Sequence, residues 1–178
     1  MKKDIYLILD NIHSRENVGS IFRTADGAGV KKIFLCGITP CPQLDNYGLR
    51  IMNSKDNTES VIRNRVIDKI SKTALGAEKW VPWEYRRNTW RLLAELKAQG
   101  LKLVALEQTK DSEDIFRLKR DKLKAKTLAL IVGNEVKGIS PKILKYCDKK
   151  ISIPMYGKKE SLNVAVAAGI ALYSLRGI

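Results

Sequence analysis

Five side chains able to do polar chemistry fall in three short glycine-marked segments. Asn17 and Arg23 belong to Asn17-Val18-Gly19 and the turns after it, Glu135 to Gly133-Asn134-Glu135, and Ser161 and Asn163 to residues 154–163. Each segment adjoins an apolar run of strand character, at 5–9, 128–132 and 151–153. Loops at the carboxyl ends of parallel strands converge on one crevice. These three would bring backbone N–H and C=O groups, one carboxylate, one guanidinium and small polar groups to it. That inventory suits a polar small molecule held beside a polyanion. Arg23 has Gly19 and Gly27 one turn away on either side, so no side chain crowds it at helical spacing. It reads as a solvated arginine or as a group facing a ligand. Asn163 opens an apolar helix, and a buried amide needs partners. It reads as structural glue or as a site residue.

Several common chemistries are excluded. Residues 133–138 have the GxxxxG spacing of a phosphate-binding loop, but Ile139 stands where lysine is required. Gly27-Ala28-Gly29 precedes a strand, and Lys32 takes the place of a third glycine, so it is not a dinucleotide fingerprint. The three cysteines, Cys36, Cys41 and Cys147, lack metal spacing, and His13 is the only histidine, so no metal site is expected. No Ser/His/Asp triad follows from any spacing.

The elements that must position these groups form an α/β pattern. Apolar runs at 5–9, 33–36, 101–106, 128–132 and 151–153, with a short one at Trp80-Val81 stopped by Pro82, read as five or six parallel-type strands. Helices are expected at 21–28, with Asn17 to Ser20 leading in, within 60–75, at 89–99 with Thr89 as cap, and from Ser140-Pro141 onward. Ser161 is placed as the N-cap of the last helix. That helix is apolar on nearly every face, which suggests a subunit interface. Residues 41–64 lack periodicity and read as a surface excursion.

The chain has 178 residues, is 44% hydrophobic and carries a formal net charge of +14, enough for one real core and strongly basic. A pI of about 9.8 points to RNA, DNA or anionic lipid as partner. Trp80, Trp83 and Tyr85 lie next to Arg86, Arg87 and Arg91, a mixture suited to base stacking and phosphate contact or to a core with a charged rim. The cationic run over 117–126 is either a solvated face or a phosphate track. No signal peptide or membrane-length run is read, and reduced thiols fit a cytoplasmic protein.

Three ordered motifs carry a specific resemblance. Residues 17–26 with Gly29-Val30, residues 130–139, and residues 153–163 with Ile153-Pro154-Met155 and Ser161-Leu162-Asn163-Val164 resemble the three signatures of the SpoU/TrmH RNA ribose 2′-O-methyltransferases, a branch of the SPOUT superfamily. The resemblance spans essentially the whole chain. It implies a single methyltransferase domain over 1–178, with no separate RNA-binding domain. It further implies a parallel sheet with helices on both faces, a C-terminal trefoil knot and a homodimer. S-adenosylmethionine is the implied methyl donor, held near Val104, Leu106, Gly133, Ile153, Met155 and Leu162. Arg23 falls on the catalytic arginine, with Asn17, Glu135, Ser161 and Asn163 as polar companions. The implied substrate is tRNA or rRNA.

In that reaction a ribose hydroxyl must lose or share its proton. A guanidinium, with a pKa above about 12, is a reluctant base. Arg23 is therefore read either as the base or as the group that holds a phosphate and orients the hydroxyl. His13 is read first as a loop histidine. Two other readings stay open: a catalytically silent RNA-binding or ribosome-assembly protein of the same fold, and an RNA base methyltransferase.

Overall fold

The computed structural model describes residues 4–42, 69–118 and 125–177. Most of the 41–64 excursion, the first part of the 60–75 helix and the middle of the 117–126 cationic run lie outside the described residues. In chain order the elements are β1 (Asp4–Asp10), α1 (Arg15–Gly27), β2 (Lys32–Cys36), α2 (Lys69–Ala74), α3 (Ala77–Trp80), β3 (Trp83–Arg86), α4 (Thr89–Ala98), β4 (Lys102–Leu106), β5 (Glu113–Asp114), β6 (Thr127–Val132), α5 (Pro141–Leu144), β7 (Lys149–Ser152) and α6 (Val164–Arg176).

The described strands form one seven-stranded sheet in the order β3-β2-β1-β6-β4-β7-β5. Every pairing in it is parallel. The central strands are apolar because both faces are covered. Ile5, Leu7 and Leu9 of β1 join a core layer with α1, α2, α3 and α6. Ile8, between them, joins the opposite layer with α4 and α5. The period-2 alternation thus divides one apolar strand between two cores.

Glycines set how closely α1 approaches its neighbours. A methyl group at Gly19 would lie 2.1 Å from the Thr73 hydroxyl and 2.3 Å from the Ile70 carbonyl of α2, and one at Gly27 would lie 2.9 Å from the Tyr173 hydroxyl of α6. The two glycines that flank Arg23 are therefore consumed by helix packing.

Four expectations change. First, α1 starts at Arg15, capped by Ser14, so Asn17 lies in its first turn. Second, the aromatic strand follows Pro82, because residues 77–80 form α3. Gly76, at a φ of 97°, turns the chain between α2 and α3. Third, α6 is capped by Asn163 and not by Ser161. Fourth, Thr89 is the first residue of α4 after the N-cap Asn88. The Thr89 hydroxyl donates instead to Asp10 Oδ1, at 2.5 Å. A strand not foreseen, β5, edges the sheet, where Lys149 meets Glu113 and Lys150 meets Asp111, both at 2.6 Å.

Asp10 ends β1 and is only 3% exposed. Burial raises its pKa, and the Thr89 hydroxyl offsets part of that rise. A raised folded-state pKa contributes stability below the unfolded value, near 3.9, and loses it as pH rises through the folded value. Asp10→Asn keeps an acceptor for Thr89 and removes the titration. Its stability relative to wild type should therefore increase as pH rises from about 4 to 7; urea melts across that range check it.

Candidate functional site

The site grows from the ends of β1, β6 and β7. After β1 the chain turns at Asn11, which takes a positive φ of 58°. Ser14 then caps α1, its side chain accepting from Asn17 N at 3.1 Å. This fixes Asn17 at the start of the helix. After β6, residues 133–138 fold into a tight loop closed by Gly138 N donating to Asn134 O at 2.9 Å. Asn134 Oδ1 accepts from Val136 N at 3.0 Å and from Lys137 N at 2.8 Å, which orders the loop and turns Glu135 toward β1. After β7, Asn163 caps α6 by accepting from Ala165 N at 2.9 Å.

One hydrogen-bonded chain joins all three segments. Asn163 Nδ2 donates to Asn17 Oδ1 at 3.0 Å, and Asn17 Nδ2 donates to Glu135 Oε1 at 3.0 Å. Glu135 also accepts the backbone N–H of Ser14 at 3.1 Å and of His13 at 3.0 Å. Burial works to raise the Glu135 pKa, but the His13 N–H, the Asn17 amide and the Ser14 N–H together hold it below the usual carboxylate range. Glu135 is thus an ionised organiser at neutral pH and a poor proton acceptor. Asn163 is exposed, so its amide is partnered for position and not because burial demands it.

Beside this chain lies a pocket at the carboxyl ends of β4, β6 and β7. Leu106, Gly133, Ile153, Met155, Leu162 and Ser161 line it, with Glu135 at its border. Val104 does not line it; it is fully buried inside β4, short of the strand end. Arg23 is exposed on α1, and its side chain has no hydrogen bond or ion pair among the described residues. It lies six residues beyond Asn17, about 9 Å of helix rise.

Among the pocket residues that went unforeseen are the two polar ones that follow β4. Glu107 Oε2 accepts from Ile139 N at 2.6 Å, and Gln108 Nε2 donates to the Ile153 carbonyl at 2.7 Å. They tie the end of β4 to the loops after β6 and β7. The signal was present: two polar residues directly follow an apolar strand, at the carboxyl edge where ligands bind. Among the described residues no group of three or more His, Cys, Asp or Glu is placed to hold a metal ion.

Gly133 is required by space. A methyl group there would lie 2.6 Å from Gly138 C and from Ile139 N. Backbone must move to admit it, so Gly133→Ala should destabilise by about 1–3 kcal/mol. It should also weaken binding of any ligand in the pocket. Denaturant melts and calorimetric titration with S-adenosylhomocysteine check both.

A sequence profile of the SpoU rRNA Methylase family matches residues 45–173. The chain belongs to the SpoU rRNA methylase family. It is 34% identical to the tRNA (guanosine(18)-2′-O)-methyltransferase of Aquifex aeolicus, over 97% of this chain and 68% of that protein. It is 32% identical to the 23S rRNA (guanosine(2553)-2′-O)-methyltransferase RlmP of Bacillus subtilis, over 96% of this chain and 57% of that protein. The profile begins after the first motif, but an alignment over 97% of the chain leaves too little uncovered to omit Asn17 and Arg23. The chain thus spans about two thirds or less of the length of these relatives.

Solved SpoU structures share the fold. The crystal structure of the A. aeolicus TrmH/SpoU tRNA modifying enzyme superimposes with a TM-score of 0.73 at 31% identity, over 99% of this chain and 75% of that one. The AdoMet-bound rRNA methyltransferase from Sinorhizobium meliloti gives 0.74 at 26% identity, over 99% of this chain and 57% of that one. The site seen in this family member has ordered acceptors and a partly apolar pocket, which Arg23 does not line. Chemically it can hold a small molecule with an apolar face and position a polar nucleophile beside it.

Proposed function

We propose that the chain transfers a methyl group from S-adenosylmethionine to a ribose 2′-hydroxyl of tRNA or rRNA. The observation that carries this reading is the chain Asn163–Asn17–Glu135, which locks the three motif segments together beside one pocket. The names of the two relatives above, both guanosine 2′-O-methyltransferases of tRNA or rRNA, point the same way.

The pocket residues fit the donor. Leu106, Ile153 and Leu162 offer apolar surface for an adenine, and the Glu107 and Glu135 carboxylates border a pocket that would receive a cationic sulfonium. Backbone groups near Gly133, Ile153 and Met155 hold the donor, while Val104 supports the strand from within. When bound, the donor supplies an electrophilic methyl group. Arg23 reaches an RNA phosphate and stabilises negative charge developing on the attacking oxygen. Asn17 and Asn163 orient that oxygen, with Ser161 as a further donor or acceptor at the pocket edge. Glu135 keeps Asn17 in its amide orientation.

The same reading takes residues 1–178 as one methyltransferase domain with a C-terminal trefoil knot, working as a cytoplasmic homodimer. Support for the dimer comes from α6, which buries Ala168, Ala171, Leu172 and Leu175 yet leaves Val166 52% and Tyr173 39% exposed. An apolar helix with a second uncovered face calls for a second partner. No helix among the described residues is long and apolar enough to cross a membrane. The test is incorporation of label from S-adenosylmethionine into unmodified bulk tRNA and rRNA. Incorporation into one of them is expected, and none into either contradicts the reading.

A further inference from the structure

A second cleft lies on the same carboxyl edge, at the ends of β1, β2 and β3, against the layer formed by α4 and α5. Asp10 and Thr89 floor it, Trp90 walls it, and Arg87, Asn88 and Lys142 rim it. The loop that carries Glu135 separates the two clefts. Its Asn134 Nδ2 donates to the Asn11 carbonyl, at 2.9 Å, and Asn11 lines this second cleft.

Two features of the cleft are available to a ligand. The first is its charge. Arg87, Arg91 and Lys142 have no carboxylate partner among the described residues, whereas neighbouring Arg86 is held by Glu84 and Glu95. Two of these free cations gather on one ring: the Arg91 guanidinium carbon lies 5.1 Å and Lys142 Nζ 5.0 Å from the Trp90 centroid. The second is Asp10. Its Oδ1 accepts from Thr89 and Asn11, but its Oδ2 has no hydrogen bond among the described residues, although the residue is only 3% exposed. That oxygen is not sealed inside the fold, since among the described residues only Glu78 and Arg86 carry a buried side-chain atom without a partner; it opens on the cleft that Asp10 lines and is free to take a donor from a ligand. The Asn88 side chain, at the N-cap of α4, makes no capping bond either.

We propose that this cleft is a second RNA subsite, which takes an unpaired nucleotide flanking the methylated one. The base lies along Trp90 in place of Arg91 and Lys142, which swing from the ring onto its phosphates beside Arg87, and it gives an N–H to Asp10 Oδ2. Aromatic faces stack bases of any sequence, and guanidinium and ammonium groups track the backbone. The acidic floor faces the base and the cationic rim faces the phosphates, so neither sign is misplaced. This inference rests on the RNA reading of the first site.

The test uses the whole protein and unmodified bulk tRNA and rRNA. The Arg87→Glu/Lys142→Glu variant should bind RNA at least about tenfold more weakly near 0.1 M salt. Its plot of log affinity against log salt should be shallower by about two phosphate contacts. Lys72→Glu/Lys79→Glu, an equal charge change on the exposed surfaces of α2 and α3, controls for net charge. S-adenosylhomocysteine binding in both variants reports an intact fold. A Trp80→Phe/Trp83→Phe background leaves Trp90 as the only indole, and its fluorescence should be quenched by RNA. A rim variant within about twofold of wild type, a control that loses as much as the rim variant, or an unquenched Trp90 overturns the subsite while wild-type RNA binding still stands. Wild type that binds neither RNA overturns the subsite and the RNA reading together.

Discussion

Arg23→Ala should lower kcat for methyl transfer by about 10²–10³-fold, the loss seen when one donor to a developing oxyanion is removed, with donor affinity within about twofold of wild type. Arg23 is exposed and has no partner among the described residues, so its removal leaves no buried group stranded. Its flanking glycines are occupied by α2 and α6, which fixes the helix that carries it whether or not the guanidinium is present. The fold has no claim on this side chain, and a large effect would belong to the reaction. Arg23→Lys separates two roles. A point charge keeps most phosphate attraction, while the planar fork that orients two oxygens at once is lost. Intermediate activity in the lysine variant would assign Arg23 to phosphate holding, and activity as low as the alanine variant would assign it to orientation. Single-turnover kinetics with calorimetric donor binding measure both. Unchanged transfer in Arg23→Ala would remove Arg23 from the mechanism.

The second large effect is expected at Glu135. Glu135→Ala removes the acceptor for three donors at once: the His13 and Ser14 N–H groups and the Asn17 amide. Each donor left without a partner costs about 1–3 kcal/mol when buried and less where water reaches it. The site is partly open, so about 3 kcal/mol in total is expected, read as a shift in the denaturation midpoint. The functional loss should be larger than the stability loss suggests. Asn17 would be free to flip, and with it the bond to Asn163 that joins the first and third motifs. Methyl transfer should fall at least about 100-fold, since small misplacements of reacting groups carry penalties of that order. Glu135→Gln keeps the shape and turns one acceptor into a donor facing an N–H, so it should lie between wild type and alanine. The pH dependence gives a separate readout. The Glu135 pKa is lowered in the fold, so its contribution is complete above the unfolded value, near 4.3, and is lost as pH falls through the folded value. Glu135→Gln should flatten the acid limb of the stability curve. An acid limb identical to wild type would contradict the bonding scheme.

The sequence made the strands that position the site legible, and for a physical reason. β1, β4 and β6 are covered on both faces, so they read as unbroken apolar runs. β3 and β5 lie at the sheet edges, where little of that signal exists, and β5 is built on two charged residues, of which Glu113 is held by Lys149. Helix starts were displaced by competition between capping groups. Ser161 and Asn163 are both good caps, and Asn163 takes the position while also reaching Asn17. Thr89 looks like a cap, but the buried carboxyl of Asp10, distant in sequence, claims its hydroxyl. Local pattern does not register such long-range demands. At the candidate site, residue type and strand-end position singled out Asn17, Glu135 and Asn163, which the fold joins by hydrogen bonds. The bonds among them, and the part played by Glu107 and Gln108, depend on which loops the sheet order brings together.

The most direct test of the central claim is the position of the methyl group. RNA labelled from S-adenosylmethionine by the wild-type protein is hydrolysed in alkali, which cannot cleave beside a methylated 2′-oxygen. Label in alkali-resistant dinucleotides is the predicted result and would establish ribose methylation. Label in ordinary mononucleotides would contradict it and assign the methyl group to a base.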